Sequence, residues 1–187
     1  MNKRNLLQLA GVASVVVTLG LTAHAQTSTS KDPAAATAEA RVSSGDRELM
    51  QDIAQANLAE IDTGKLALEK SQNPEVRKFA QMMIDDHTKA QQDLLTIAQS
   101  KGVTLPTEPD IQHKTLATAL KLLSGNTFDS QYISRVGVGD HERAEKLLDK
   151  TIKETSDQDL KAYAEKTIKG VQHHLGVAQG MENSQKK

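Results

Sequence analysis

Three histidines and one glutamate are the residues of this sequence whose types and spacing could do chemistry together. His87, His141 and His174 each fall within a stripe of apolar residues at helical steps of three and four, and Glu60 falls in a similar stripe. One buried histidine is usually a core residue with hydrogen-bonded nitrogens. Three of them carry a repeated desolvation cost, which a bound metal ion or polar ligand would offset. The pattern therefore predicts a ligand site inside a helical protein.

The positions of helix caps indicate that the four side chains lie at a similar depth. Glu60 lies 13 residues before the cap Asn73 and His87 lies 14 residues after it, so both are about 20 Å from that turn. The other two histidines lie 15 residues before and 18 residues after Ser156, or about 22 and 27 Å from the second turn. The mismatch between them is about one turn, which tilted helices can absorb.

The elements that must position these residues are four long helices and a short one. The capping and stop signals predict helices from Ser44 or Asp46 to about Lys70, from Pro74 to about Lys101, over about 110–123, from about Thr127 to Glu154, and from a capping box at Ser156 and Asp159 to about 182. Short connections make each long pair an antiparallel hairpin, and about 25 residues separate the pairs. We expect an all-α, ferritin-like four-helix bundle with a long crossover that carries the extra short helix.

The ends of the chain are predicted to lie outside this domain. Residues 1–25 combine the basic Lys3 and Arg4, an apolar stretch and the site Ala23-His24-Ala25, which is typical of a signal peptide. We expect a flexible leader over 26–45, the bundle over 46–182 and a frayed tail over 183–187. The sequence predicts export to the periplasm or envelope of a Gram-negative bacterium, with no transmembrane anchor after cleavage.

Composition excludes several classes of function and constrains the core. Without residues 1–25 the chain has 21 basic and 24 acidic residues, a net charge of −3, which is no electrostatic footprint for nucleic acid. It has no cysteine, so a lipid anchor on cysteine, a disulfide and thiolate chemistry are all excluded. With two Phe, two Tyr and no Trp, the core must be aliphatic.

Several other polar residues favour ordinary structural roles. Asp86 and Asp140 precede histidines, but neighbours on a helix do not share a face, so we expect solvated faces with Asp86 near a lysine. His113 and His173 are predicted to lie on the surface. A rival stripe on the first helix (Ile53, Asn57, Ile61, Gly64, Leu68) is at least as good as the one that contains Glu60, so Glu60 either joins the seam or lies at its edge. Gly64 is expected to let a neighbouring helix approach.

Five segments in order resemble one bacterial envelope family: NLAEIDTGKLALEKSQNPEVRKFAQMMIDDHTKA, GVTLP, SGNTFDSQYI, DHERA and HHLGVAQ. The resemblance is to domain of unknown function 4142 and covers about 46–180. It implies a ferritin-like four-helix fold and export, with recurring polar positions at Glu60, His87, His141 and His174. Its members are often labelled outer-membrane proteins, and no activity comes with the resemblance.

The sequence departs from ferritin relatives that oxidise metal. Those proteins carry Glu-x-x-His pairs for two irons, whereas Ile84, Val138 and Val171 stand three residues before the histidines here. Three histidines and a glutamate better suit a single Zn²⁺, Cu²⁺ or Fe²⁺ ion.

Three functions remain open. The leading hypothesis is a non-catalytic periplasmic bundle that binds a metal ion or small ligand at mid-core during envelope stress. The second is a structural or interaction module whose histidines only hydrogen-bond to one another. The third, which the missing Glu-x-x-His pairs disfavour, is a metal-dependent oxidoreductase.

Overall fold

The computed structural model of the chain describes residues 42–185, and these contain helices and turns but no strand. The helices are α1 (Ser44–Lys70), α2 (Pro74–Ser100), α3 (Ile111–Lys121), α4 (Gly125–Gln131), a π-helical segment (Tyr132–Asp140), α5 (His141–Glu154) and α6 (Gln158–Gln185). The predicted signal peptide, 1–25, and most of the predicted leader lie outside the described residues. The α4, π and α5 segments follow one another without a break and occupy the place of the predicted third long helix. The predicted all-α fold is confirmed.

Local capping explains why the helices begin where they do. The Ser43 side chain accepts the Asp46 backbone N–H, and Asn73 accepts that of Glu75 behind a proline in the first helical position. Asp110 in the same way caps the crossover helix α3. Each of these signals is local in the sequence, so the starts of α1, α2 and α3 agree with their prediction to within one or two residues.

The two ends of α6 differ from the prediction. Asp157, not Ser156, caps its start, because the Asp157 carboxylate accepts the Leu160 backbone N–H while the Ser156 hydroxyl is hydrogen-bonded to Asp46 on α1. At the other end α6 continues to Gln185, three residues beyond the expected limit of the bundle at 182.

Close packing within the first hairpin depends on Gly64. A Cβ at this position would lie 2.9 Å from Ile84 Cγ1 and 3.1 Å from the Ala80 carbonyl oxygen on α2. The first separation is shorter than real Cβ contacts and the second is tighter than most of them, so the absence of a side chain at Gly64 lets α1 and α2 approach this closely. The predicted packing role of Gly64 is confirmed.

The apolar core consists of two clusters at opposite ends of the bundle. One contains Met50, Leu94, Leu148 and Leu160, and the other contains Phe79, Met83, Phe128 and Tyr132. Burial of each large apolar side chain contributes about 1.5–3 kcal/mol. The buried polar residues Asn57, Glu60, His87, His141 and His174 lie along their helices between the positions that supply the two clusters. The fold thus places a polar layer at mid-bundle, where the sequence predicts a site.

No helix between residues 42 and 185 combines the length and the apolar character that a membrane span needs.

Candidate metal centre

The structure brings the three predicted histidines together in the polar layer. His87 comes from the middle of α2, His141 from the start of α5 and His174 from the second half of α6, and each is at most 5% exposed. Their ring centroids are 5.4 to 5.6 Å apart. One ring nitrogen from each histidine lies within 4.8 Å of the other two. We call these three residues the triad.

Each imidazole of the triad is held at one nitrogen by an oxygen. The bonds are His87 Nδ1 to Asn57 Oδ1 at 3.0 Å, His141 Nδ1 to the Val136 carbonyl at 3.1 Å, and His174 Nε2 to Asp86 Oδ2 at 2.9 Å. Because an amide oxygen, a carbonyl and a carboxylate are acceptors, the ring nitrogen must donate in each pair. These bonds place the proton of each neutral imidazole on its outward nitrogen.

The opposite nitrogens of the triad are buried and have no hydrogen-bond partner. They are His87 Nε2, His141 Nε2 and His174 Nδ1. With the proton on the other nitrogen, each carries a free lone pair, which is the form of imidazole that binds a metal ion. A metal ion between them would satisfy three buried polar atoms that the described protein atoms leave unsatisfied.

Electrostatics keep the triad neutral. Burial, followed by the neighbouring His141 and His174, holds the pKa of His87 well below its usual value. Burial also lowers the pKa of His141 to about 4, against an opposing hydrogen bond to Val136. The pKa of His174 is lowered by burial, although Asp86 acts to raise it. At neutral pH the three rings are therefore unprotonated, as metal ligands must be.

Glu60 lies beside the triad but outside the group of converging nitrogens. It is 5% exposed, and its Oε1 lies 3.8 Å from His141 Nδ1, the nitrogen already bonded to Val136. Its other carboxylate oxygen is buried without a partner. Burial, and then the charge of Asp140, raises the pKa of Glu60 well above its usual value. Of the four predicted ligands, the structure thus converges the three histidines and places the carboxylate next to one of them.

The π-helical segment positions His141. It ends at Asp140, and the His141 backbone N–H bonds to the Val138 carbonyl while the imidazole bonds to Val136, five residues back. Within the segment a Cβ at Gly137 would lie 2.9 Å from the Ala178 Cβ on α6 and 3.4 Å from the Phe79 ring. Glycine therefore lets α6 approach where it carries His174. Gly137 lies four residues before His141, at the spacing of the predicted apolar stripe, but no local signal in the sequence predicts the π geometry.

Two residues that hold the triad were assigned other roles by the sequence. Asp86 was expected on a solvated face near Lys89; it is exposed, but it accepts from His174, while Lys89 pairs with Asp93. A residue adjacent to His87 is turned by about 100° around α2, and that turn points it toward α6. The sequence indicated Asn57 only as a member of the rival apolar stripe of α1, not as a partner of a histidine. In the structure both stripes of that helix are largely buried.

Among the described residues, two histidines lie outside the triad, and they differ in exposure. His173 is exposed, as predicted. His113 was predicted to lie on the surface, and this is wrong: only 21% of its side chain is exposed, its Nδ1 lies 2.7 Å from Asp110 Oδ2, and it lines a cavity that leads to the triad. The loop before α3 folds this end of the crossover helix onto α1, which a helical pattern alone does not show.

Two openings reach the polar layer from different sides. A cavity of about 540 Å³ between α1, α3 and α5 touches Glu60, His87 and His141. A groove of about 220 Å³ between α2 and α6 touches His87 and His174. We call them the cavity and the groove.

Residues 31–181 match the family described as Domain of unknown function (DUF4142). The chain belongs to this family. No protein of curated function matches the sequence. The DUF4142 chain shares its fold with a DUF305 fragment from Deinococcus radiodurans, at a TM-score of 0.69 and 13% identity over 76% of this chain and 98% of that one. It is also similar to CopM in the Cu(II)-bound form, at a TM-score of 0.63 and 18% identity over 74% and 96%.

The donor set of this DUF4142 chain fits one transition-metal ion better than two irons. The triad offers three neutral imidazoles, and one buried carboxylate, Glu60, stands beside it. A di-iron centre of the ferritin kind needs several bridging carboxylates. Imidazole ligands are typical instead of zinc, copper, iron and nickel sites.

Proposed function

We propose that this protein is an exported, non-catalytic four-helix bundle that binds one transition-metal ion, Cu²⁺ or Zn²⁺, at His87, His141 and His174. Two observations carry the proposal: one ring nitrogen from each of three buried histidines lies within 4.8 Å of the other two, and each imidazole has one buried nitrogen without a partner while its opposite nitrogen is hydrogen-bonded to an acceptor. Burying three imidazoles costs free energy, and coordination of a metal ion by their nitrogens offsets this cost.

The ligand chemistry selects among metal ions. Ca²⁺ and Mg²⁺ prefer oxygen ligands, and the triad offers only nitrogen. Among divalent ions of the first transition row, affinity at a given nitrogen site rises to Cu²⁺ and falls again at Zn²⁺. CopM, a fold neighbour, is known in a Cu(II)-bound form, which supports testing copper first.

Glu60 is proposed to balance the charge of the ion. Its carboxyl group sits in the same buried layer, so a dication beside it would favour its ionised form. A small movement of the Glu60 or His141 side chain would decide how Glu60 acts. It either binds the ion directly or balances the charge of the ion from the far side of His141. In both cases Glu60→Gln is expected to weaken metal binding less than loss of a histidine.

Export is proposed from residues 1–25 alone. Their basic start, apolar stretch and small-residue site fit a cleaved signal peptide. N-terminal sequencing of protein recovered from an osmotic-shock fraction is expected to begin at Gln26. Recovery of chains that still begin at Met1, in the cytoplasmic fraction, would contradict export.

Metal loading of purified protein tests the proposed site. Protein matured in the organism that produces it is purified, and a chelator removes any metal it carries. It is then loaded with Cu²⁺ or Zn²⁺, dialysed and analysed for bound metal. We expect one ion per chain, and none in the double variant His87→Ala/His141→Ala. His173→Ala is the matched control, because its ring lies 6.1 Å from that of His174 yet is exposed, and it should keep one ion. Equal, sub-stoichiometric metal in all three proteins would reject the site and favour a purely structural role.

A further inference from the structure

We infer that the metal ion reaches the triad through the cavity between α1, α3 and α5, guided by Asp52 and Asp110, and not through the groove between α2 and α6. This inference rests on the proposed metal site and names the route by which it fills.

Both openings end at the same place. The cavity is lined by His87 and His141, the groove is lined by His87 and His174, and Thr167 and Val171 line both. The triad therefore stands between two approaches from different sides of the bundle. An ion could arrive by either, so size and charge must decide.

Size favours the cavity. A water molecule in the liquid occupies about 30 Å³, so an ion with about six waters needs roughly 180 Å³. The cavity, at about 540 Å³, admits such an ion with room to spare. The groove, at about 220 Å³, is less than half as large. A hydrated ion can thus move close to the imidazoles through the cavity before it loses water.

Charge at the outer part of the cavity is negative in excess. Asp52 on α1 and Asp110 at the start of α3 both line it. Of the two arginines there, Arg143 is engaged by Asp140, and Arg135 donates to Gln131 and pairs with no carboxylate among the described residues. Burial, and then the nearby charges of Glu48 and Asp110, raises the pKa of Asp52 despite the opposing charge of Lys150. Carboxylates placed along a low-dielectric cleft concentrate cations and speed their association.

The mouth of the groove has no such excess of negative charge. Asp93 is paired with two lysines at once, Lys89 at 3.1 Å and Lys166 at 2.9 Å, and Asp86 is bonded to the neutral His174. The two lysines therefore balance the two carboxylates that line the groove. A metal dication is not attracted there as it is at the cavity.

His113 adds a nitrogen ligand to the cavity side. Its imidazole is bonded to Asp110, and the pair stands at the start of α3 on the wall of the cavity. Carboxylates attract any cation, whereas an imidazole favours transition metals. The cavity thus combines carboxylates that attract a cation with an imidazole that favours a transition metal. Outside the triad, the charged residues that line the groove are only lysines and acids.

The rate of Cu²⁺ association separates the two routes. The protein has no Trp, and Tyr132 packs on Phe79, which in turn contacts His141, so quenching of tyrosine fluorescence reports arrival of Cu²⁺. Stopped-flow mixing of chelator-stripped protein with Cu²⁺ gives the association rate constant, and dialysis of the same samples gives the stoichiometry. The measurement is made at ionic strengths of about 0.01 M and 0.15 M, where the Debye length is about 30 Å and 8 Å.

Charge variants give the first comparison. Asp52 is eight residues before Glu60, about 12 Å along α1, and removing one charge at that distance from a dication in water changes an unscreened rate about threefold. With screening over a Debye length of about 30 Å, Asp52→Asn/Asp110→Asn should slow association about fivefold at low ionic strength and less than about twofold at 0.15 M. Asparagine keeps the cap of α3. Asp93→Asn on the groove side is the matched control and should change the rate by less than about twofold.

Plug variants give the second comparison. Gly170 lines the groove, and a Cβ there meets open space, so Gly170→Phe should narrow the groove without disturbing the fold and leave the rate unchanged. Ala56→Phe narrows the cavity from α1 and should slow association. The inference is overturned if Gly170→Phe or Asp93→Asn slows association as much as the cavity variants, or if the cavity variants have no effect. Wild-type protein that binds no metal at equilibrium would instead be a failure of the proposed function.

Discussion

The acceptors that hold the triad decide what each histidine can do. A histidine with both nitrogens free can rotate or change tautomer, whereas a bond to one nitrogen fixes the lone pair on the other. Here the acceptors come from three different elements: Asn57 on α1, Val136 in the π segment and Asp86 on α2. Asn57 also donates to Tyr163 at 3.2 Å, which fixes its amide orientation. Removal of an acceptor should therefore weaken metal binding without removing any ligand.

Asp86 is the acceptor best suited to this test, because its side chain is exposed and its loss opens no hole in the core. We expect Asp86→Ala to lower the affinity for Cu²⁺ about 10- to 100-fold, the range usual for such outer partners. Asp86→Asn keeps an acceptor oxygen and should lose less. Asp85→Ala, at the neighbouring position where the carboxylate bonds to Gln81, should leave the affinity unchanged. Competition titration against a copper chelator measures all three, and equal affinities for Asp86→Ala and wild type would contradict the role.

At this scale the sequence predicted ligands better than their partners. Histidines on apolar stripes stand out because burial of such a group is costly, so His87, His141 and His174 could be selected from spacing alone. Asp86 and Asn57 are unremarkable on their own helices. Their roles depend on the rotation of α2 relative to α6 and of α1 relative to α2, which is a property of tertiary packing.

The π segment is the element that sets the geometry of the centre. An uninterrupted α-helix from Gly125 to Glu154 would place His141 at a different angle relative to Phe79 and α6. π-Helical turns are rare and unfavourable by themselves, and they occur often at functional sites. The segment is stable here because Gly137 seats against Ala178 and Phe79, so its cost is offset by close packing.

Gly137→Ala should disturb both packing and metal binding. The new methyl group would lie 2.9 Å from Ala178 Cβ, so α6 or the π segment must move. Overpacking of this kind costs about 1–3 kcal/mol, and displacement of α6 moves His174 away from the triad. We expect a lower denaturant midpoint and weaker Cu²⁺ affinity together.

Gly176→Ala and Gly180→Ala provide the control for this prediction. Both positions lie on α6, and a Cβ at either meets open space. Alanine in place of glycine within a helix should stabilise the protein by about 0.5–1 kcal/mol and leave metal binding unchanged. A Gly137→Ala protein that gained stability as these two do would show that the close approach is not needed.

Element boundaries were predictable to the extent that they depend on local signals. Asn73 and Pro74 start α2 from within the sequence, and Lys101 and Gly102 end it. The start of α6 was misplaced by one residue because Ser156 is used by Asp46, more than a hundred residues away. The π segment went unpredicted for the same reason, since Ala178 and Phe79 decide its stability from other helices.

The bundle formed by residues 42–185 consists of two apolar clusters with a polar layer between them. The clusters supply the stabilising burial, whereas the layer contains four of the six buried polar atoms without partners among the described residues, in Glu60 and the triad. Each such atom costs about 1–3 kcal/mol when it stays unsatisfied. The unsatisfied atoms of the polar layer therefore lower the free energy of unfolding. A ligand that bonds to them should restore a large part of that free energy.

Metal binding should accordingly raise the melting temperature. At a free ion concentration 100 times the dissociation constant, binding to the folded state alone adds about 2.7 kcal/mol. We expect Cu²⁺ to raise the midpoint by about 5 °C or more in wild type and in His173→Ala. The rise should be absent in His87→Ala/His141→Ala. Circular dichroism at 222 nm follows all three, and an equal rise in the double variant would assign the effect to surface binding.

Stability of the metal-free protein should fall in mildly acidic solution. The pKa of His141 is about 4 in the fold because of burial, and close to 6.5 in the unfolded chain. The unfolded state therefore takes up a proton first, so the contribution of His141 to stability is complete above about pH 7 and is lost as the pH falls from 6.5 toward 4. Between pH 7 and pH 5 this loss amounts to about 2 kcal/mol for His141. Glu60, whose pKa is raised by burial, acts in the opposite direction, so a single variant must isolate the histidine.

Replacement of His141 by glutamine supplies that comparison, because glutamine does not titrate. Urea unfolding in a chelator at pH 7 and pH 5 should show a difference in unfolding free energy that is about 2 kcal/mol smaller in His141→Gln than in wild type. His173→Gln should keep the wild-type difference, because His173 is exposed on the same bundle. If His141→Gln retained the wild-type pH dependence, the ring of His141 would take up a proton in the fold as readily as in the unfolded chain, which would contradict its burial in a neutral triad.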